Sequence, residues 1–432
     1  MTDVRRLDQL SRAELAVLGR EYLLAGHLID RAGMPHAIGR WGRDGMAAIA
    51  IDEWMGASPV YTPRMARALG FAGDSVETIF KGMQLDIGAP PEFMDFRYRV
   101  IDHNHGEFTL AHCGALMDVE PMGADYVETM CHHIEDPTFD ATAYATNPRA
   151  VMRPVHRPPR RPVDRQPHCQ WTVDIDPLRE PLGRPQVTDV MASTLAAGTS
   201  IAPFGPAGGP GMADYSGPLD PNLALEHFNH RALSIICQEA ALQGHLLAMS
   251  FMAAIERRHG VEAAVEVGTR QFVGIAGLAA DRLRRAFGLG DGLADIAQVI
   301  ELHPAFAPRP YVDRQVGVGA DLLSLRLLGC EAAAETAAPT WVAILAGLGA
   351  EAAGAEVLGA IARAVNPRAN CRNVEDRGQA LAGWEVTLGE VEQPEAEEVA
   401  LARFSTGAEF QFGRTAGSAT GSDGATPVDL RR

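Results

Sequence analysis

The chain has 432 residues, 47% of them hydrophobic, and a formal charge of −17 at pH 7. That length exceeds one ordinary core, so two or three domains are expected, and the apolar fraction suits globular cores. The acidic balance argues against nucleic acid or an anionic membrane surface as a partner.

Residues 1–12 are charged and carry no apolar stretch of the kind an export signal needs. The most apolar run, Trp341 to Ala362, contains Glu351, Glu356 and many glycines, and reads as a buried helix rather than a membrane span. Six cysteines in a chain this long do not form a disulfide scaffold. Reduced thiols and a cytoplasmic location are therefore expected.

In chain order, Ser11-Arg12-Ala13-Glu14 is a capping box that opens a helix to about Ala32. A second helix is expected over Pro35 to Met55, and Thr62-Pro63 opens a third that stops at Gly70. Asp74 to Glu77 caps a fourth, ending near Gly88. The period then changes. Phe93–Val100 and Glu107–Ala111 read as strands, Asp118–Cys131 as a helix, and Val151–Val155 and Cys169–Ile175 as further strands. Residues 177–222, rich in proline and glycine, read as a linker, and 413–432 as a disordered tail.

After the linker the pattern restarts. Glu21…Gly26-His27-Leu28 matches Glu239…Gly244-His245-Leu246, and Arg64–Gly70 matches Arg282–Gly288. Cys113 falls opposite Cys330, Asn147-Pro148-Arg149 opposite Asn366-Pro367-Arg368, and Trp171 opposite Trp384. Ordered matches at near-constant displacement indicate a tandem duplication. The expected fold is α+β: two pseudo-repeats (11–176 and 223–412), each a helical part followed by a mainly antiparallel sheet packed by helices. Similar units often pair about a pseudo-twofold axis. His27 and His245 lie on apolar helices and read as satisfied core histidines. Trp171 and Trp384 read as core, and Arg149 and Arg368 as parts of a shared turn.

Half of the cysteines and half of the histidines lie between His103 and Trp171. Cys113, Cys131, His156 and Cys169 make a plausible tetrahedral set for zinc or iron, with His132 or His133 as alternatives to His156. The spacings are long and contain no CxxC. Opposite Cys131, His156 and Cys169 the second repeat has the 349–351 region, Glu375 and Ala382. That asymmetry places the chemistry in the first repeat and leaves the second structural, or binding something without that chemistry. His103, His105 and Glu107 are candidates for proton transfer. Three other readings compete with the metal: buried inert thiols; redox reporting; and Cys113 as a nucleophile, with a base from His103, His105 or His156, because the adjacent His112 points to the other face of its strand.

His112-Cys113-Gly114-Ala115-Leu116, Met130-Cys131-His132 and Arg157-Pro158-Pro159…His168-Cys169-Gln170-Trp171 resemble the L-2-amino-thiazoline-4-carboxylic acid hydrolase-like family over roughly Leu15 to Ile175, and more faintly over Ala232 to Leu388. The resemblance implies an antiparallel sheet packed by helices, a hydrolytic ring-opening type of activity, and Cys113, Cys131 and Cys169 as site cysteines. His156 stands where branches of that family tend to carry a further cysteine, which favours a mononuclear metal over an iron–sulfur cluster. The sequence expectation is thus a metal-dependent, hydrolase-like enzyme acting on a small molecule with a C=N or C=O bond. Its rivals are a small-molecule-binding or redox-sensing module, and an accessory subunit docking a partner enzyme. A homo-oligomer is left open.

Overall fold

The computed structural model describes residues 4–375 and 378–413. The tail expected from 413 onward lies, apart from its first residue, outside the described residues.

The first repeat opens with α1 (Arg12–Ala68). Ser11 and Glu14 form the expected capping box: the Glu14 carboxylate accepts from the Ser11 N–H at 2.8 Å, and the Ser11 hydroxyl accepts from the Glu14 N–H at 3.3 Å. The three helices expected here are one run. Pro35, Pro59 and Pro63 are accommodated inside it, and the break falls at Gly42 (φ 70°, ψ −177°). A positive φ there suits glycine. The corresponding Gly260 (φ 87°, ψ 164°) separates α8 (His230–His259) from α9 (Val261–Ala286) in the second repeat.

After α1 come α2 (Val76–Met83), β1 (Met94–Val100) and β2 (His105–Cys113). Next are α3 (Gly114–Val119), α4 (Ala124–Glu128), a π-helical segment (Thr129–Ile134) and α5 (Glu135–Tyr144). The single helix expected over Asp118–Cys131 is thus broken, with Gly123 at φ 107° dividing it. Strands β3 (Ala150–His156) and β4 (Cys169–Ile175) complete an antiparallel sheet of order β1-β2-β4-β3. The second repeat follows α9 with α10 (Leu293–Leu302), β5 (Arg314–Val318), β6 (Leu323–Leu327), α11 (Trp341–Leu345), α12 (Ala353–Val365), β7 (Ala369–Asn373) and β8 (Ala382–Leu388). Its sheet order is the same, β5-β6-β8-β7. The fold is therefore α+β with two pseudo-repeats. The repeated Asn-Pro-Arg turns are superposable in their bonding. Asn147 donates to Asp74 O at 2.9 Å, and Asn366 to Asp291 O at 2.8 Å.

The stretch expected as a linker carries α6 (Gln186–Ala192) and α7 (Leu195–Gly198) and is tied down along its length. Lys81 donates to Gly217 O, Tyr215 to Gln84, and the Leu219 N–H to Glu77. Proline and glycine here serve a wrapping path, whose backbone groups find side-chain partners. The end of each repeat crosses to the other. The Leu195 N–H at the start of α7 donates to Glu335 at 2.6 Å, and the Thr406 N–H, beyond α13 (Glu397–Ala402), donates to Asp118 at 2.6 Å. Helices α1 and α8 pack against each other at the centre, and Trp171 and Trp384 are fully buried beneath their sheets. No helix of the described residues is long and apolar enough to cross a membrane.

Candidate functional site in the first repeat

The structure separates the residues expected to act together. His103, in the exposed β1–β2 turn, lies 3.4 Å from Asp74, and His105, at the start of β2, is held between Asp102 at 2.8 Å and Asp174 at 3.2 Å. Glu107 is paired with Arg99 at 2.7 Å. With about 3.3 Å of rise per residue, β2 places His105 roughly 25 Å from Cys113 at its other end.

The three cysteines do turn inward. The β1–β2 register steps from Asp95↔His112 to Phe96↔Leu110, so Ala111 is the extra residue of a bulge. That step puts Cys113 on the same face as Leu110, which pairs with Cys169. Cys113 Sγ donates to Met94 Sδ at 3.8 Å and accepts from the Leu116 N–H at 3.3 Å. Cys131 is buried in the π-helical segment. Burial pushes the Cys113 thiol up to about 12 and those of Cys131 and Cys169 well above the usual range. The thiols stay protonated at neutral pH, unlike an activated nucleophile.

His156 does not join them. It pairs with Gln170, the neighbour of Cys169, and so lies on the opposite face of the sheet. His132 bonds to Pro158 O at 2.7 Å and His133 is exposed. Among the described residues no group of three or more His, Cys, Asp or Glu side chains is placed to hold a metal ion. The Cys113, Cys131, His156 and Cys169 set, with His156 on the other face of the sheet, does not fit a zinc or iron centre in this arrangement.

What the first repeat does contain is a pair of adjoining chambers. The smaller one, about 110 Å³, is lined by His27, Arg31, Tyr61, Asp86 and Glu135 among others. The larger one, about 380 Å³, is predominantly apolar and has Asp30 and Arg31 as its charged residues. Arg31, Trp54, Met130 and Ile134 line both. Helix α1 supplies most of the polar groups. His27 and Arg31, four residues apart, share a face of its first arm, and Trp54 and Tyr61 come from the second. Asp86 follows α2, and Glu135 begins α5 where the π-helical segment ends. Such segments frequently mark functional sites.

These groups are held in unlike states. Asp86 accepts from Tyr61 at 2.8 Å and from the Gly88 N–H at 2.7 Å, and burial brings it up to about 6. Burial pushes Glu135 up to about 8, against the opposing pull of Arg157 and Arg31. Glu53 is fully buried, with no partner for either oxygen, and Asp30 Oδ1 also lacks one. Burial and the neighbouring Asp30 raise Glu53 well above the carboxylate range. Glu53 is thereby held in its protonated form. Arg31 lies 3.3 Å from Asp30 and 4.0 Å from Met130 Sδ, and its Nε has no partner. Burial works against its charge, but Asp30, Asp118, Cys113 and Glu53 outweigh it. His27 is 3% exposed with both ring nitrogens unpartnered, and burial keeps it neutral.

The second repeat satisfies or removes these groups. His245 bonds to Ala307 O at 3.0 Å. At the positions matching Asp30, Arg31, Glu53, Tyr61 and Asp86 stand Ala248, Met249, Gln271, Ala279 and Pro304. Trp341 packs on His245 and stacks on Phe272, the counterpart of Trp54. Cysteine and histidine density pointed away from these residues. The usable signal was the Asp30-Arg31 pair inside an apolar helix, where the other repeat has Ala-Met. No protein-family model matches this chain, and no curated protein or solved structure matches it.

Proposed function

We propose that the first repeat is a hydrolase-like enzyme site for a small molecule with a C=N or C=O bond, with Glu135 and Asp86 as the proton-transfer pair. The observation that carries this reading is that two buried carboxyls line one chamber in unlike surroundings, burial raising Glu135 to about 8 and Asp86 to about 6. Carboxyls pushed apart in this way divide into acid and base. At neutral pH Glu135 holds its proton and Asp86 has lost its own. Glu135 protonates the nitrogen or oxygen of the C=N or C=O bond as water adds to carbon, and Asp86 takes the proton that water gives up. Collapse of the adduct reverses the roles: Asp86 returns its proton to the leaving nitrogen or oxygen, and the adduct hydroxyl re-protonates Glu135. Neutral His27 offers one donor and one acceptor for orientation. This reading keeps the reaction class of the sequence resemblance and assigns it to other residues.

The test is turnover of a panel of imines, amidines, thiazolines and amides in oxygen-18 water. Wild type should incorporate label into product, and Glu135→Gln and Asp86→Asn should not. Equal turnover by Glu135→Gln removes the assignment. The closed-over thiols and the large apolar chamber favour a second reading, a binding module; ligand binding without turnover of any panel member would select it.

A further inference from the structure

We propose that the occupant of the double chamber is an amphipathic carboxylate, its anionic group on Arg31 and its apolar body in the larger chamber. The inference rests on the first repeat being the small-molecule site. Among the described residues Arg31 is the only lysine or arginine lining either chamber, and it lines both. A guanidinium carries five N–H donors in a planar fork. Here the Nε has no partner, and one terminal nitrogen reaches only Asp30 and a thioether. A carboxylate is the group whose geometry matches that fork.

The surroundings also select an anion over a cation. An amine would need an ionised carboxylate free to receive it, yet Asp30 is paired with Arg31, Asp86 already accepts from Tyr61 and the Gly88 N–H, and burial holds Glu135 in its protonated form. A protonated Glu135 can instead donate to the ligand. Beyond Arg31 the walls are apolar: Met34, Ile38 and Met130 from the first repeat, with Leu401 and Phe404 from the crossing arm of the second. A compound with its charge at Arg31 would lay its apolar substituent in the larger chamber and its reacting bond in the smaller one, toward Glu135 and Asp86. This gives the second repeat a part in the site, since its arm supplies one wall.

The experiment uses the full chain with octanoate, octylamine and octanol as probes, by calorimetry and thermal shift. Octanoate should bind and raise the melting temperature, with octylamine and octanol at least tenfold weaker. Arg31→Met should lose octanoate binding at least tenfold. The fold accepts methionine at this place in the second repeat, as Met249, and the melting temperature of the ligand-free variant checks folding. Arg31→Lys should retain part of the affinity. Equal binding of octanoate by Arg31→Met overturns the proposal, as does a preference for octylamine or equal binding of octanol. Binding of none of the three also overturns it, while label incorporation from oxygen-18 water judges the catalytic reading separately.

Discussion

Glu21 and Arg282 form a buried ion pair between the repeats, with Arg282 Nε 2.8 Å from a carboxylate oxygen, and the chain makes the same pair in reverse. Arg64, the counterpart of Arg282, lies 3.0 Å from Glu239, the counterpart of Glu21. This is the reciprocity of a twofold interface, here within one chain. Each arginine also holds the crossing arm of its own repeat: Arg64 donates to Ala197 O and Thr199 O, and Arg282 to Gly407 O and Phe410 O. Burial outweighs the attraction of Arg282, and Glu21 is held above its ordinary value. Such a pair adds little net stability, yet breaking it is costly. Arg282→Met should lose about 3–5 kcal/mol in urea denaturation, because a buried carboxyl and two carbonyls are left without their donor. The double variant Glu21→Gln/Arg282→Met should recover part of it. A loss below about 1 kcal/mol for Arg282→Met would show that the pair does not hold the repeats together.

His27 and His245 should differ in what they cost to remove. His245→Leu leaves the Ala307 carbonyl without the donor it now has, a loss of roughly 1–3 kcal/mol. His27→Leu removes two unpartnered nitrogens and should leave stability near wild type while reducing turnover or ligand binding. Equal destabilisation by both would contradict the view that the first repeat has given up a structural histidine to its chamber.

Much of the fold could be read from the chain because its signals are local or repeated. Ser11 and Glu14 cap as their spacing demands, and the Asn147 and Asn366 turns bond alike. The site was not legible for two physical reasons. A single bulge residue, Ala111, decides which face Cys113 occupies, and pairing with Gln170 puts His156 on the other face; neither offset is visible in spacing alone. The chamber groups His27, Asp30 and Arg31 sit within a helix that is otherwise ordinary core, and become a site only through what α2, α5 and the crossing arm bring against them.

The thiols should react unequally. Cys113, Cys131, Cys169 and Cys237 are buried, whereas Cys330 and Cys371 are half-buried. Burial pushes Cys371 up to about 12, which slows its attack. With Ellman's reagent the native protein should show one fast thiol, and Cys330→Ser should abolish that phase. A fast phase that survives in Cys330→Ser contradicts the assignment. If chelator treatment instead made Cys113, Cys131 and Cys169 reactive, a metal bound by those thiols would return as the better account.

Glu135 should leave a signature in the dependence of stability on pH. Its carboxyl titrates from 4.5 ordinarily to about 8 in the fold, with burial the main cause, Asp136 adding to it, and Arg157 and Arg31 opposing it. Between those values the unfolded chain has released the proton and the native protein keeps it. Stability therefore falls as pH rises through this window, by up to about 1.4 kcal/mol per pH unit for one proton. Asp86, moved from 3.8 to about 6, adds to the fall only below pH 6. The interval from 6 to 8 thus isolates Glu135 from Asp86. Glu135→Gln, which keeps the shape and a donor but cannot ionise, should flatten the slope there while changing it little above pH 8. Urea midpoints for wild type and variant from about pH 5 to 9 measure this directly. Parallel profiles between 6 and 8 would mean that Glu135 ionises normally, and would remove the acid from the proposed acid–base pair.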